Sequence, residues 1–228
     1  SVYHIIKMSH TIYTYPHNPR VAIAKIVAKL GGVTNVEEAK DFQMGVTNKT
    51  EDFLNNVNPF GKVPALKTAS GEGLFESMAI ARYFARIGND AQGLLGGASA
   101  IDQSRVDQWI DVSSLELVSQ TYPLFLYTWG YGVFDEDKFN GARDHLAKVL
   151  SIIEKHLENR EYLVTDRITL ADITLAAVLL NPVKLALDAE WRKPFPRTIA
   201  LLERVYTNPA AAEVFGPVNM LEKFEKPN

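Results

Sequence analysis

The stretch Asn58-Pro59-Phe60-Gly61-Lys62-Val63-Pro64-Ala65-Leu66, with Leu74-Phe75-Glu76-Ser77-Met78-Ala79-Ile80 after it, constrains the chain more than any other. Asn-Pro and Gly-Lys bracket a tight turn, and Val-Pro-Ala-Leu then begins a strand. Pro64 has no N–H to give to a ladder, so it must open that strand or lie on its edge. An X-Pro bond in a tight turn is also where a cis peptide is most accessible. A cis bond there would turn the N–H and C=O of Val63 outward, where an extended peptide could pair with them as an added strand. Further on, a second strand (Leu74, Phe75) gives way at Ser77 to a helical pattern. The first amides of that helix, with the Ser77 hydroxyl, form a seat for a carboxylate. One peptide-like ligand with a free carboxylate suits both features. The same residues also describe a plain edge strand, a hairpin turn at Ser70-Gly71-Glu72-Gly73 and an ordinary capped helix.

Composition narrows the chemistry. At 228 residues the chain can bury the core of one large domain or two small ones. A net charge of −3 gives no reason to expect nucleic acid or an anionic membrane as partner. No apolar run approaches the roughly 20 residues of a membrane helix. There is no cysteine, which excludes disulfides, thiolate metal sites and a cysteine nucleophile; any thiol must come with the ligand. His4, His10, His17, His145 and His156 show no metal-ligand spacing, so no metal is expected. Neither a phosphate loop nor a Gly-x-Ser-x-Gly elbow is present, which leaves nucleotide and serine hydrolysis without a site. Ser1–Lys7 lacks signal-peptide architecture; Met8 reads as a natural start and the cytoplasm as the expected compartment.

Along the chain, Thr11–Tyr15 is β-branched and aromatic and reads as a strand, with Tyr13 and Tyr15 on one face. Pro16–Pro19 is a turn. Arg20 opens a helix on Ile23, Ile26, Val27 and Leu30, which Gly31-Gly32 ends. A short strand is expected near Val36 and a short helix around Glu51–Asn55. After the strands at Val63–Leu66 and Leu74–Phe75, a helix carries Ile80, Tyr83, Phe84 and Ile87 on one face. The first half therefore reads β-α-β-α-β-β-α, a thioredoxin-like pattern. From Ile101 onward the periodicity is helical: Val106, Trp109, Ile110 and Leu117; Leu146 to Leu157; Ile173 to Leu180; and Arg197–Tyr206, stopped by Asn208-Pro209. The expected division is 9–88 for a thioredoxin-like domain, 89–98 for a Gly-rich linker and 99–228 for an all-helical bundle. Thr169-Leu170-Ala171-Asp172 has the spacing of a capping box.

The Val63-Pro64 and Glu76-Ser77 pair resembles the glutathione-binding core of the glutathione transferase fold. Thr11–Pro16, Asp41–Thr50 and Leu74–Ser77 narrow the likeness. They are similar to the amino-terminal region of the gamma subunit of eukaryotic translation elongation factor 1B, over almost all of residues 10–224. That subunit continues into a lysine-rich linker and a further domain, so the chain reads as a fragment of it or as a stand-alone transferase of that lineage. The resemblance implies that Val63 binds the cysteinyl backbone of glutathione and that Glu76 and Ser77 hold its γ-glutamyl end. It also implies that Lys49 and Lys62 neutralise the glycine carboxylate, with Pro64 acting through its isomer. It further implies a capping box in the central helix of the second domain.

Glutathione's thiolate is the nucleophile, and lowering a thiol pKa by about 2 units needs roughly 2.7 kcal/mol of anion stabilisation. A hydroxyl at the end of the first strand can supply it, helped by the next helix N-terminus. The family uses Tyr or Ser there; this loop has no Ser. Tyr15 is the first candidate and Tyr13 the second, with His17 and Asn18 as alternative donors and Arg20 as a further anion contact. Either tyrosine also fits an amphipathic core role. A second substrate is expected between the domains, near Trp109, Tyr122, Phe125, Tyr127, Trp129 and Tyr131, which also suit core packing or subunit contact.

Two functions compete. One is a dimeric glutathione transferase that joins glutathione to a small electrophile, as in detoxification. The other is a non-enzymatic scaffold of elongation factor 1B that docks its nucleotide-exchange subunit.

Overall fold

A computed structural model describes residues 9–16, 18–89 and 91–227, with backbone alone at 91 and 92. Met8 as a start, His17 as a donor and Asp90 of the expected linker lie outside the described residues. The chain divides into two compact units, one reaching to Gln92 and the other starting at Gly93.

The first unit runs β1 (His10–Tyr13), α1 (Pro19–Leu30), β2 (Val36–Glu38), α2 (Glu51–Asn56), β3 (Ala65–Lys67), β4 (Gly73–Phe75) and α3 (Ser77–Ile87). Its sheet has the order β2-β1-β3-β4, with β1 parallel to β2 and antiparallel to β3, and β3 antiparallel to β4. This is the thioredoxin-like arrangement expected from the element order.

The pairs Ile12↔Leu66 and Tyr13↔Ala65 sort side chains by face. His10, on the face of Ile12, meets the rings of Tyr83 and Phe84 on α3 edge-on, each at 5.6 Å. Tyr13 and Ala65 turn the other way, onto a cluster with Phe53 and Val57 that Phe42 and Val63 border. Helices α1 and α3 meet at glycine: a Cβ on Gly88 would stand 2.8 Å from the Gly31 Cα. Gly31, expected only as a helix stop, thus also permits a close helix contact.

The expected strand Thr11–Tyr15 is displaced to His10–Tyr13. Asn18 folds the next residues into a turn, its Nδ2 donating to Thr14 Oγ1 at 3.2 Å and its N–H to the Tyr15 carbonyl at 3.3 Å. Tyr15 therefore leaves the sheet, and the alternation that would align it with Tyr13 does not reach it. Asn18 Oδ1 also accepts from the Arg20 N–H at 3.1 Å, capping α1.

The second unit is helical: α5 (Ala100–Asp111), α6 (Val118–Thr121), α7 (Glu136–His156), α8 (Leu170–Leu185), α9 (Ala189–Arg192), α10 (Pro196–Thr207) and α11 (Pro209–Phe215). The stretch expected as a linker holds a short helix, α4 (Ala91–Leu94). Between α5 and α6 the chain winds through a π-helical stretch, Val112–Leu117, that the periodicity did not signal. Asn208-Pro209 ends α10 as expected, yet Pro209 immediately opens α11, whose Ala210 N–H donates to Asn208 Oδ1 at 3.0 Å.

Helix α8 is apolar nearly all round and is the centre of this unit, packed against α5, α6 and α10. The fully buried Asp172 organises its start. Its carboxyl accepts from the Thr169 N–H (2.8 Å), the Thr169 hydroxyl (2.7 Å) and, nine residues back, the Leu163 N–H (2.8 Å). Burial pushes the Asp172 carboxyl upward against those three donors. Glu154 of α7 does a similar task across elements. It accepts from the Arg197 N–H (3.0 Å), the Thr198 N–H (2.8 Å) and the Thr198 hydroxyl (2.9 Å), closing the start of α10. The end of the chain is tied down too: the Leu221 N–H donates to the Val183 carbonyl, and the Phe224 ring stacks on Phe139 at 4.5 Å. No helix among the described residues is long and apolar enough to cross a membrane.

Candidate functional site

The site grows from the β3–β4 pair. Its register ends at Ala65↔Phe75, so Val63-Pro64 and Glu76-Ser77 lie at the same end of the two strands. The Val63–Pro64 bond is cis. Val63 is half-buried against the Phe53–Val57–Ala65 cluster and Pro64 is buried, while Lys62 is exposed.

Across from them, Glu76 has φ 68° and ψ 121°, and no other non-glycine among the described residues has a positive φ. It turns the chain from β4 directly into α3. This corrects the expectation that Ser77 caps the helix: Glu76 occupies the cap position and Ser77 is the first helical residue, because the reversal is complete at Glu76. The Glu76 side chain makes no cap hydrogen bond to α3. The helix start thus lies beside a half-buried Ser77 and an exposed Glu76, an arrangement suited to a carboxylate.

The two lysines are held by the preceding loops. Residues 43–50 carry a short 3-10 turn, Thr47–Lys49, and Thr50 caps α2 by accepting from the Phe53 N–H at 3.2 Å. Lys49 Nζ lies 3.6 Å from where a Cβ on Gly61 would stand, one residue from Lys62. Two buried asparagines that sequence reasoning passed over tie these loops together. Asn48 Nδ2 donates to the Gly61 carbonyl at 2.6 Å while its Oδ1 accepts from the Gly45 N–H at 2.6 Å. Asn58 Nδ2 donates to the Lys62 carbonyl at 2.8 Å, and its Oδ1 accepts from the Phe60 N–H at 3.0 Å. Only the Asn-Pro turn signal hinted at Asn58; nothing local distinguished Asn48.

The tyrosines part company. Tyr13 packs edge-on against Phe53 at 5.3 Å and Phe42 at 6.2 Å, bordering the cluster that Val63 also touches. Burial, aided by the negative charge of Asp52, pushes its hydroxyl pKa up. Tyr15 is 41% exposed in the turn that precedes α1. Asn18, the alternative donor, is committed to Thr14 and to the helix cap.

Of the aromatic residues of the second unit, Trp109 and Phe125 are core, whereas Trp129 and Tyr131 are exposed. Trp109 has its ring centroid 4.7 Å from that of His156, and Phe125 stands 4.8 Å from Trp129. No cluster of His, Asp or Glu among the described residues has the makings of a metal site.

A thioredoxin-like unit bearing a Val-Pro loop beside a Glu-Ser helix start, followed by a helical unit, defines a glutathione-transferase-type fold. Residues 8–86 match the family model described as glutathione S-transferase, N-terminal domain, and residues 118–209 match glutathione S-transferase, C-terminal domain. Over 213 residues the chain is 38% identical to the glutathione S-transferase-like protein FUS3 of Gibberella moniliformis, covering 93% of this chain and 95% of that protein. It is 36% identical over 215 residues to elongation factor 1-gamma-A of Xenopus laevis, covering 93% of this chain but 48% of that protein. It thus spans about half the length of that elongation-factor relative. The crystal structure of the GST-like domain of elongation factor 1-gamma from Saccharomyces cerevisiae superimposes with a TM-score of 0.80 at 22% identity, covering 97% of this chain and 99% of that one. The chain belongs to the glutathione S-transferase family.

Proposed function

We propose that the first unit binds glutathione and that the chain is a glutathione transferase joining its thiol to small electrophiles. One observation carries this reading above the rest. The start of α3, entered through a positive-φ Glu76, stands at the same end of the β3–β4 pair as Val63-Pro64. Each feature suits one part of a γ-glutamyl peptide. The α3 amides and the Ser77 hydroxyl take the γ-glutamyl carboxylate, and Glu76 accepts from its amine. Val63 pairs with the cysteinyl backbone, with Pro64 beside it fixing the course of the chain. Lys49 and Lys62 neutralise the glycine carboxylate. Glutathione is a substrate here, and no metal takes part.

Tyr15 is assigned the hydroxyl that stabilises the thiolate. Tyr13, whose hydroxyl is pushed to a higher pKa by burial, is the weaker donor to an anion and the second choice. The reaction is then attack by the thiolate on an electrophilic carbon, forming a carbon–sulfur bond and expelling a leaving anion or, with an activated alkene, adding to the double bond. A homodimer in the cytoplasm fits this role.

The second reading is a scaffold of elongation factor 1B that docks the nucleotide-exchange subunit. It draws its support from the 36% identity to an elongation factor 1-gamma and from the absence of a serine in the β1–α1 turn. The steady-state rate of thioether formation from reduced glutathione and a chlorinated dinitrobenzene separates the two. The transferase reading predicts a saturable, protein-dependent rate. A rate no higher than background, repeated across several classes of electrophile, favours the scaffold.

A further inference from the structure

We infer that Asn48 is a positioning residue for the glycine end of glutathione, an inference that rests on the glutathione-binding reading above and goes beyond it. Asn48 is 1% exposed, and its carboxamide bridges the two loops that flank α2. It takes the Gly45 N–H on its oxygen and gives its nitrogen to the Gly61 carbonyl, both at 2.6 Å. Lys49 is its neighbour in one loop and Lys62 is the neighbour of Gly61 in the other. The two cations stand on either side of α2, and this one planar group ties their backbones together across it.

The site accepts little else. A carboxamide offers a donor and an acceptor on one planar end, and both are used in opposite directions here. Aspartate at this position would set a second acceptor against the Gly61 carbonyl, and alanine would leave both backbone groups without their partner. Gly61 is equally constrained: its φ is +59°, and a Cβ there would meet the Asn48 carbonyl oxygen at 2.8 Å. The close approach of the two loops thus needs glycine on one side and asparagine on the other. Asn58 then holds the carbonyl of Lys62 from within its own turn at 2.8 Å. The backbone that carries the two lysines is thereby fixed before any ligand arrives, which lowers the ordering cost of binding.

The test compares two ligands on two proteins by calorimetric titration: reduced glutathione and its glycyl monoethyl ester, each with the native chain and with Asn48→Ala. The native chain is expected to bind glutathione more tightly than the ester. Asn48→Ala is expected to weaken glutathione binding about tenfold, or about 1.4 kcal/mol, while leaving ester binding within about twofold. Equal weakening of both ligands, or weakening of neither, overturns the positioning role and leaves the glutathione reading standing. Failure of the native chain to bind either ligand overturns that reading, and this inference with it. Should Asn48→Ala not fold, amide exchange on the ligand-free native chain decides. The Gly45 N–H, in an exposed segment, is expected to be strongly protected; exchange at the unprotected rate overturns the inference.

Discussion

Glu76 holds a conformation that L-residues avoid, at a cost of about 1–3 kcal/mol, in a place where glycine would be free of strain. Nothing in the packing of the first unit demands a side chain there, since Glu76 is exposed. Strain kept at an exposed residue at the start of a helix supports the place given to Glu76 in the proposed glutathione site. Glu76→Gly is expected to raise stability by about 1 kcal/mol after the entropy of glycine is counted, and to weaken glutathione binding. Thermal melting and titration on the same sample check both halves. A variant that binds as tightly as the native chain would remove Glu76 from the site. At the same scale, Tyr15→Phe is expected to lower any conjugation rate by about a hundredfold, as loss of a single anion-stabilising donor does. Tyr13→Phe is expected to lower it by much less. The reverse order would transfer the role to Tyr13.

Between elements, the buried carboxylates decide how the helices are set. The Thr169–Asp172 pair was legible in the sequence from its spacing alone, because a capping box is a local pattern. The hydrogen bond from Leu163 to the same carboxylate was not, because it depends on how the preceding loop folds back. Asp172→Ala leaves three buried donors unpaired and is expected to cost roughly 3 kcal/mol or more. Thr169→Ala is expected to cost about 1–2 kcal/mol. Neither is expected to alter glutathione binding by the folded protein, and unchanged melting temperatures in both would refute the structural role. Glu154 was invisible to sequence reasoning because its partners, Arg197 and Thr198, are more than forty residues away. Burial acts to raise its pKa, but the hydrogen bonds from Thr198 and Arg197 outweigh it and the net shift is downward. A carboxylate with a lowered folded pKa adds stability above its unfolded value, near 4.5, and loses it as pH falls toward the folded value. The native chain is therefore expected to lose stability on acidification below about pH 4.5. Glu154→Gln is expected to be less stable at pH 7, by about 2 kcal/mol, and to show a shallower acid decline. Parallel acid limbs in the two proteins would contradict this.

Over the whole molecule, the element order of the first unit and the helical character of the second followed from hydrophobic periodicity and from Gly and Pro punctuation, as Pro19–Leu30 and Gly73–Ile87 show. Elements whose boundaries are set by side-chain hydrogen bonds shifted: β1 ended early because Thr14 and Asn18 pair, and Ser77 moved one place into α3 because Glu76 makes the turn. The candidate site is readable in the sequence where its chemistry is concentrated in adjacent residues, at Val63-Pro64 and Glu76-Ser77. It was not legible at Asn48, whose partners Gly45 and Gly61 belong to different loops. The family relationship is compatible with enzymes and with elongation-factor subunits, and both readings share the same prior question of ligand binding. That question is answered by titrating the native chain with reduced glutathione at neutral pH. Saturable binding of one glutathione per chain is expected, abolished when Glu76 and Ser77 are together replaced by alanine in a protein that still melts cooperatively. No saturable heat from the folded native chain, or undiminished binding in the double variant, would contradict it.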